Sequence, residues 1–134
     1  AVLTEKDFHE LLGSEWKTRP PTQVDLSGPR YKLETLTGPQ GGLLSGSLRK
    51  QRLTSIDISD NRLHDINCLS KSNGFQALTC LLAKRNLIAS VSLHLPKLVE
   101  LNLSHNQLQQ LPPLETLPNL EVLMLSHNQL SGSL

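Results

Sequence analysis

Two histidines in a repeated tripeptide come closest to a chemical site in this sequence. His105 and His127 each stand within Ser-His-Asn, and the two copies lie 22 residues apart. On neighbouring strands, about 4.8 Å apart, the two imidazoles would approach each other. Zinc sites usually need three or four ligands. We therefore interpret the pair as part of a repeated structural motif and expect no metal there.

Other motifs for chemistry are missing from the sequence. It contains no Gly-x-Ser-x-Gly elbow and no His-Glu-x-x-His motif. The glycine-rich residues 38–47 lack the Gly-Lys-Ser/Thr of a phosphate loop, so we expect a surface excursion. Asp57, Asp60 and Asp65 cluster near one expected strand, which is commoner for solvated carboxylates than for a cation site. The sequence predicts no catalysis and no cofactor.

The positions of these residues follow a spacing of leucines and asparagines. Leu98–Asn106 reads Leu-Val-Glu-Leu-Asn-Leu-Ser-His-Asn, and Leu120–Asn128 reads Leu-Glu-Val-Leu-Met-Leu-Ser-His-Asn. Leu53–Asn61 and Leu78–Asn86 fit the same template. The starts at 53, 78, 98 and 120 give steps of 25, 20 and 22 residues. Alternate residues of a strand face opposite sides, so this spacing separates an inward leucine column from an outward polar one.

The Leu-x-x-Leu-x-Leu-x-x-Asn pattern resembles the leucine-rich repeat family over residues 53–134. The resemblance implies an α/β fold: a right-handed solenoid with a parallel sheet on its concave face and short turns or 3₁₀ segments on its convex side. Stacking is required because no coil can enclose its own leucines. One asparagine per coil should bond its neighbours as a ladder: Asn61, Asn86, Asn106 and Asn128.

On the convex side of the third coil, Leu111, Leu114 and Leu117 are expected to line the core. The prolines within residues 112–118 exclude a long helix there, because proline removes a backbone donor and clashes with the preceding turn. Short 3₁₀ or extended turns fit this composition better.

We divide the chain into an N-terminal capping helix at 1–20, a degenerate first repeat with a Gly/Pro-rich insertion at 21–52, and four repeats at 53–134, the last incomplete. Apolar residues of the helix fall on one face and would cover the first coil. A partner-binding helix anchored by Trp16 is the alternative. Since no return segment follows the fourth strand, we expect a fragment of a longer protein, or a partner that covers the end.

The net charge limits the class of partner, and the cysteines indicate the cellular compartment. Thirteen basic and 12 acidic residues give a formal net charge of +1, which argues against a surface dominated by nucleic acid or anionic membrane. The chain has no apolar run near the ~18 residues that span a bilayer. Cys68 and Cys80 lie outside any cysteine-rich cap of the kind that extracellular family members carry. We therefore expect a reducing compartment, the cytoplasm or the nucleus.

The concave face remains as the functional surface. Its outward positions are expected to include Ser59 and Ser104, together with apolar Leu82 and Met124, which are either partner anchors or ordinary surface scatter. The resemblance implies a protein-binding scaffold or regulatory module without catalysis. The candidate contact residues are Asp57, Leu82, Lys84, Arg85, Glu100, Asn102, His105, Val122, Met124 and His127.

Two alternatives stay open. One is an RNA-associated protein of the splicing or mRNA-export type, whose contacts would be Arg49, Lys50, Arg52, Lys84 and Arg85. The other is a regulatory segment of an enzyme whose catalytic domain lies beyond residue 134.

Overall fold

The computed structural model describes residues 10, 22–28, 32–36, 52–70 and 74–130. Within them, five short strands form one sheet, and a 3₁₀ turn, η1 (Leu114–Thr116), precedes the last strand. The strands are β1 (Gln23–Asp25), β2 (Ser55–Asp57), β3 (Cys80–Leu82), β4 (Glu100–Asn102) and β5 (Val122–Met124).

Each strand pairs in parallel with the next strand along the chain, in the order β1-β2-β3-β4-β5. The register is constant, so Ile56 lies beside Leu81, Leu81 beside Leu101, and Leu101 beside Leu123. Val24 occupies the same position in β1. One strand per coil, always in the same register, makes a solenoid. The predicted parallel sheet of stacked coils is confirmed.

The core is a continuous column of aliphatic side chains shared by adjacent coils. Leu81 and Leu101 are fully buried, and so are Ala83 and Leu103, two residues further along each strand. Phe75 closes the column from the convex side and is also fully buried. A buried leucine contributes about 1.5–3 kcal/mol relative to an exposed one. The leucines of each coil are buried against those of the neighbouring coils. This stabilisation therefore depends on stacking, and no single coil would have it alone.

Asparagine amides connect the described coils where the chain leaves the sheet. The Nδ2 group of Asn106 donates hydrogen bonds to the carbonyl oxygens of Ala83 and Leu103, both at 3.0 Å. Its Oδ1 accepts from the backbone N–H of Ile88 at 3.1 Å. One side chain therefore satisfies its own turn and two backbone groups of the preceding coil. Bonds of the same kind are made by Asn61, Asn86 and Asn128.

The third convex segment differs from expectation. Leu117 is buried, but Leu111 and Leu114 are 39% and 46% exposed, so their predicted place in the core is wrong. Pro113 is extended, and side chains of an extended segment alternate. Pro112 therefore points inward and is buried, while Leu111 points outward. Leu114 opens η1, none of whose residues is buried.

Several predictions fall outside the described residues. Apart from Glu10, the N-terminal helix is among them, as are residues 38–47 of the insertion. Within the part of the chain that the structure describes, no helix has the length and apolar character needed to cross a membrane.

Replacing Asn106 by alanine is expected to lower the free energy of unfolding by about 3 kcal/mol. The buried N–H of Ile88 loses its partner, and the carbonyl oxygens of Ala83 and Leu103 each lose one of two amide donors. Urea unfolding followed by circular dichroism measures this loss. The matched control is Asn119→Ala, which removes an exposed amide bonded to the Pro96 carbonyl oxygen. It should cost less than about 1 kcal/mol. Equal losses in the two variants would contradict the role of the buried amide.

Candidate functional site: the concave face of the sheet

The concave face is the side of the sheet that points away from the leucine column. Constant register aligns its side chains in columns that run across the strands. The first column contains Ser55, Cys80, Glu100 and Val122. The central column contains Asp25, Asp57, Leu82, Asn102 and Met124.

Three members of the central column stabilise the turn that follows their strand. Asp25, Asp57 and Asn102 each accept, through Oδ1, a hydrogen bond from the backbone N–H two residues later, at 2.9, 2.9 and 3.0 Å. This is the Asx-turn, which suits aspartate and asparagine to the ends of strands. These polar side chains therefore have a structural reason to stand in the central column.

Leu82 and Met124 stand in the same column without that role. In place of an Asx-turn at Leu82, the Lys84 N–H donates to the Ser59 hydroxyl at 3.1 Å. Leu82 is half-buried, whereas Met124 and its neighbour Val122 are 44% and 39% exposed. The turn does not account for an apolar side chain at either position. The aliphatic surface of the concave face thus consists of Leu82, Val122 and Met124.

Ser59 and Ser104 do not belong to this surface, contrary to expectation. Both are buried, at 6% and 5% exposure. They lie where the chain bends away from the sheet, and their hydroxyls join neighbouring coils. The Ser126 hydroxyl lies 3.1 Å from that of Ser104, just as the Ser59 hydroxyl holds Lys84 of the next coil.

Directly before each ladder asparagine, one residue adopts a left-handed backbone. We call these four the rim row: Asp60, Arg85, His105 and His127. Their φ angles are 60°, 54°, 57° and 56°. Aspartate and histidine are enriched in this region, but an arginine is not. The repeated tripeptide pointed to an alignment of the two histidines, but nothing in the spacing indicated the left-handed turn.

Side chains of the rim row contact each other in pairs. The Arg85 Nη1 lies 3.3 Å from the Asp60 Oδ1, an exposed ion pair worth less than about 1 kcal/mol. The rings of His105 and His127 stack, with centroids 4.1 Å apart and planes 14° from parallel. The pKa of His105 is lowered, first by loss of water around the ring and then by His127, Arg85 and Lys84.

The stacked rings are a poor metal site. Imidazole nitrogens bind zinc in the plane of the ring, at about 2.0–2.1 Å. Nearly parallel rings direct these lone pairs side by side and not toward a common point. In the described ranges, no three or more histidine, cysteine, aspartate or glutamate residues are grouped to hold a metal ion.

Neither cysteine forms a disulfide bond, and neither is suited to nucleophilic chemistry. Burial, with a smaller effect of Asp65, raises the pKa of Cys68 to about 11. The pKa of Cys80, on the concave face, is also raised, mainly by burial. A thiol that stays protonated at neutral pH is a weak nucleophile.

A family model described as leucine-rich repeats (2 copies) matches residues 96–134. The chain is also similar to a protein in the Drosophila melanogaster SNF/U2A' complex, with 29% sequence identity and a TM-score of 0.60. Residues 96–134 thus match leucine-rich repeats, and the described coils have the leucine-rich repeat fold. An internalin (inlF) from Listeria monocytogenes is similar in fold, with 18% identity and a TM-score of 0.50. No curated protein sequence matches the chain.

This leucine-rich repeat chain is shorter than the proteins it matches. The fly match covers 81% of this chain and 59% of the other, and the internalin match covers 98% and 39%. The chain therefore spans about three-fifths and two-fifths of those two chains.

Replacing His127 by asparagine is expected to raise the pKa of His105, because the variant removes both a covering ring and a neighbouring positive charge. Asparagine tolerates the left-handed backbone at this position. A proton NMR titration of the histidine ring signals measures the change. His94→Asn, at an exposed histidine outside the rim row, should leave the pKa of His105 where it was. No change in the His127 variant would mean that the rings do not stack in solution.

Proposed function

We propose that this leucine-rich repeat chain is a protein-binding module, a scaffold or regulatory unit, which engages its partner through the concave face and carries out no catalysis. The observation that carries the proposal is the aliphatic surface around Met124, Val122 and Leu82. Leu82 and Met124 are apolar in a column whose other members are polar, and the turns do not require them.

Physical chemistry supports a partner at this surface. When a partner binds, exposed apolar side chains on a rigid sheet are removed from water, and the backbone, already ordered, loses little conformational entropy. The flexible side chain of methionine adapts to the shape of the partner. The surrounding polar residues would form the rim of such an interface. The full candidate surface consists of Asp57, Leu82, Lys84, Arg85, Glu100, Asn102, His105, Val122, Met124 and His127.

The comparisons support the class of partner. The similar fly structure is the SNF/U2A' complex, so a protein of this fold with 29% identity was solved together with another protein. Nothing in this chain selects that particular partner. The absence of catalysis is supported by the raised pKa of both thiols and by histidine rings whose nitrogens do not converge.

An RNA-associated role is the second candidate. Arg52 and Arg85 are exposed, and Lys84 is half-buried. The other two candidate contacts, Arg49 and Lys50, lie outside the described residues. A net charge of +1 favours the protein partner.

The wider organisation is part of the proposal. Residues 1–20 would cap the first coil, 21–52 would form the degenerate repeat and 53–134 the remaining repeats. The in-register pairing of β1 with β2 supports the second of these units. The apolar side chains beside β5, including partly buried Leu123 and exposed Leu114, would be covered by a further repeat or a partner. Two cysteines that form no disulfide bond are compatible with the cytoplasm or nucleus.

The central column provides the direct test. Leu82→Asp and Met124→Asp should each weaken binding of a partner, recovered with the purified chain and identified by mass spectrometry, at least 30-fold. Burying an unpaired carboxylate in an apolar contact costs about 2 kcal/mol or more. Isothermal titration calorimetry with the purified partner gives the affinities.

Leu111→Asp is the matched control, because Leu111 is as exposed as Val122 but lies on the convex side. It should bind like the wild type, and circular dichroism should report the same fold in all variants. Full affinity in both central-column variants would remove the concave face as the binding site.

A further inference from the structure

Arg85, His105 and His127 of the rim row, with the adjacent Lys84, form a cationic edge beside the aliphatic surface. Hydrogen bonds hold its members in line. The Arg85 N–H donates to the Ser104 carbonyl oxygen, and the His105 N–H donates to the Ser126 carbonyl oxygen, both at 2.9 Å. Arg85 is thereby bonded to the residue before His105, and His105 to the residue before His127. A ligand that contacts this edge meets side chains whose backbones are already in place.

Arg85 indicates that charge is what this edge supplies. A left-handed backbone favours glycine, asparagine, aspartate and histidine, and Arg85 is the member of the row that departs from those types. Its ion pair with Asp60 is exposed and stabilises the fold little. The strained turn and the weak pair give no structural reason for an arginine here.

The electrostatic surroundings of the stacked rings have one sign. The charged groups that act on His105 are His127 from the next coil, and Arg85 and Lys84 from the preceding one. The carboxylates of the concave face lie elsewhere. Asp57 is engaged in its turn, Glu100 stands in the first column, and Asp60 lies beyond Arg85.

We propose that Lys84, Arg85, His105 and His127 dock an acidic segment of the partner protein, with an affinity that increases as the pH falls. The proposal rests on the proposed function, because it names the chemistry of a partner for the same face. From Arg85 to His127 the row covers two strand spacings, about 10 Å. Alternate residues of an extended segment are about 6.6 Å apart, so two carboxylates fit along it.

Proton uptake follows from the geometry. A proton on either ring places a positive charge beside Arg85 and Lys84, which is unfavourable in the free protein. A bound carboxylate reverses that cost, so ligand binding and ring protonation strengthen each other. The affinity therefore increases as the pH falls through the pKa of His105. A protein segment is favoured over RNA, because a net charge of +1 gives the chain no broadly basic surface for a phosphate backbone.

The experiment uses the whole chain and an N-acetylated hexaglutamate peptide, followed by ¹⁵N–¹H NMR at constant ionic strength. Saturable shifts should centre on the amides of the rim row, and binding should be at least threefold tighter at pH 5.5 than at pH 7.5. The same titration should raise the pKa of His105. Hexaglutamate remains largely ionised at both pH values, since the reference pKa of glutamate is about 4.3.

The test variant is Arg85→Asn/His105→Asn/His127→Asn, because asparagine removes the charge and suits the left-handed backbone. It should bind hexaglutamate at least tenfold more weakly and lose the dependence on pH. The control is His64→Asn/His94→Asn, at two exposed histidines outside the row, which should retain both.

Three results would overturn the proposal: no saturable shift, equal affinity of the triple variant, or tighter binding of hexauridylate with a steeper salt dependence, which would indicate nucleic acid. Failure of the proposed function looks different. In that case Leu82→Asp and Met124→Asp keep their partner, whatever hexaglutamate does at the rim.

Discussion

One side-chain amide per coil holds successive turns of this chain together. Where the backbone leaves the sheet, peptide groups turn inward and lose contact with water, and such groups need partners. Asn106 supplies three contacts of this kind, to its own coil and to the coil before it. The leucines give the stack most of its stabilisation, but a hydrophobic column tolerates sliding. The directional bonds of the amide fix the register.

A fixed register on the inner side fixes the outer side as well. The central column and the rim row exist because every strand presents the same positions at the same height. The fold uses several of these positions for itself, as the Asx-turns of Asp25, Asp57 and Asn102 and the buried hydroxyls of Ser59 and Ser104 illustrate. Few outward positions are left for recognition, and at these positions apolar side chains lie next to cationic ones.

The sequence predicted the parts of the molecule that depend on spacing. The strands, their parallel order and the pairing of Leu101 with Leu123 follow from leucines at regular intervals. Burial on the convex side was harder to predict, because its segments are irregular and a proline can occupy a core position in place of a leucine. Leu111 and Leu114 were placed wrongly for that reason. At the candidate site, outward orientation followed from alternation, but the left-handed turns and the ring stacking depend on backbone angles that no spacing encodes.

The unequal coil lengths have an evolutionary consequence. Strand starts are separated by 25, 20 and 22 residues, yet every strand keeps its alignment with the next. Length variation is therefore absorbed between the asparagine of one coil and the first leucine of the next. A single deletion between Leu101 and Asn106 would instead exchange inner and outer faces for the remainder of that segment. In each coil, the segment after the asparagine tolerates insertions and deletions, whereas the segment from the first leucine to the asparagine must keep its number of residues.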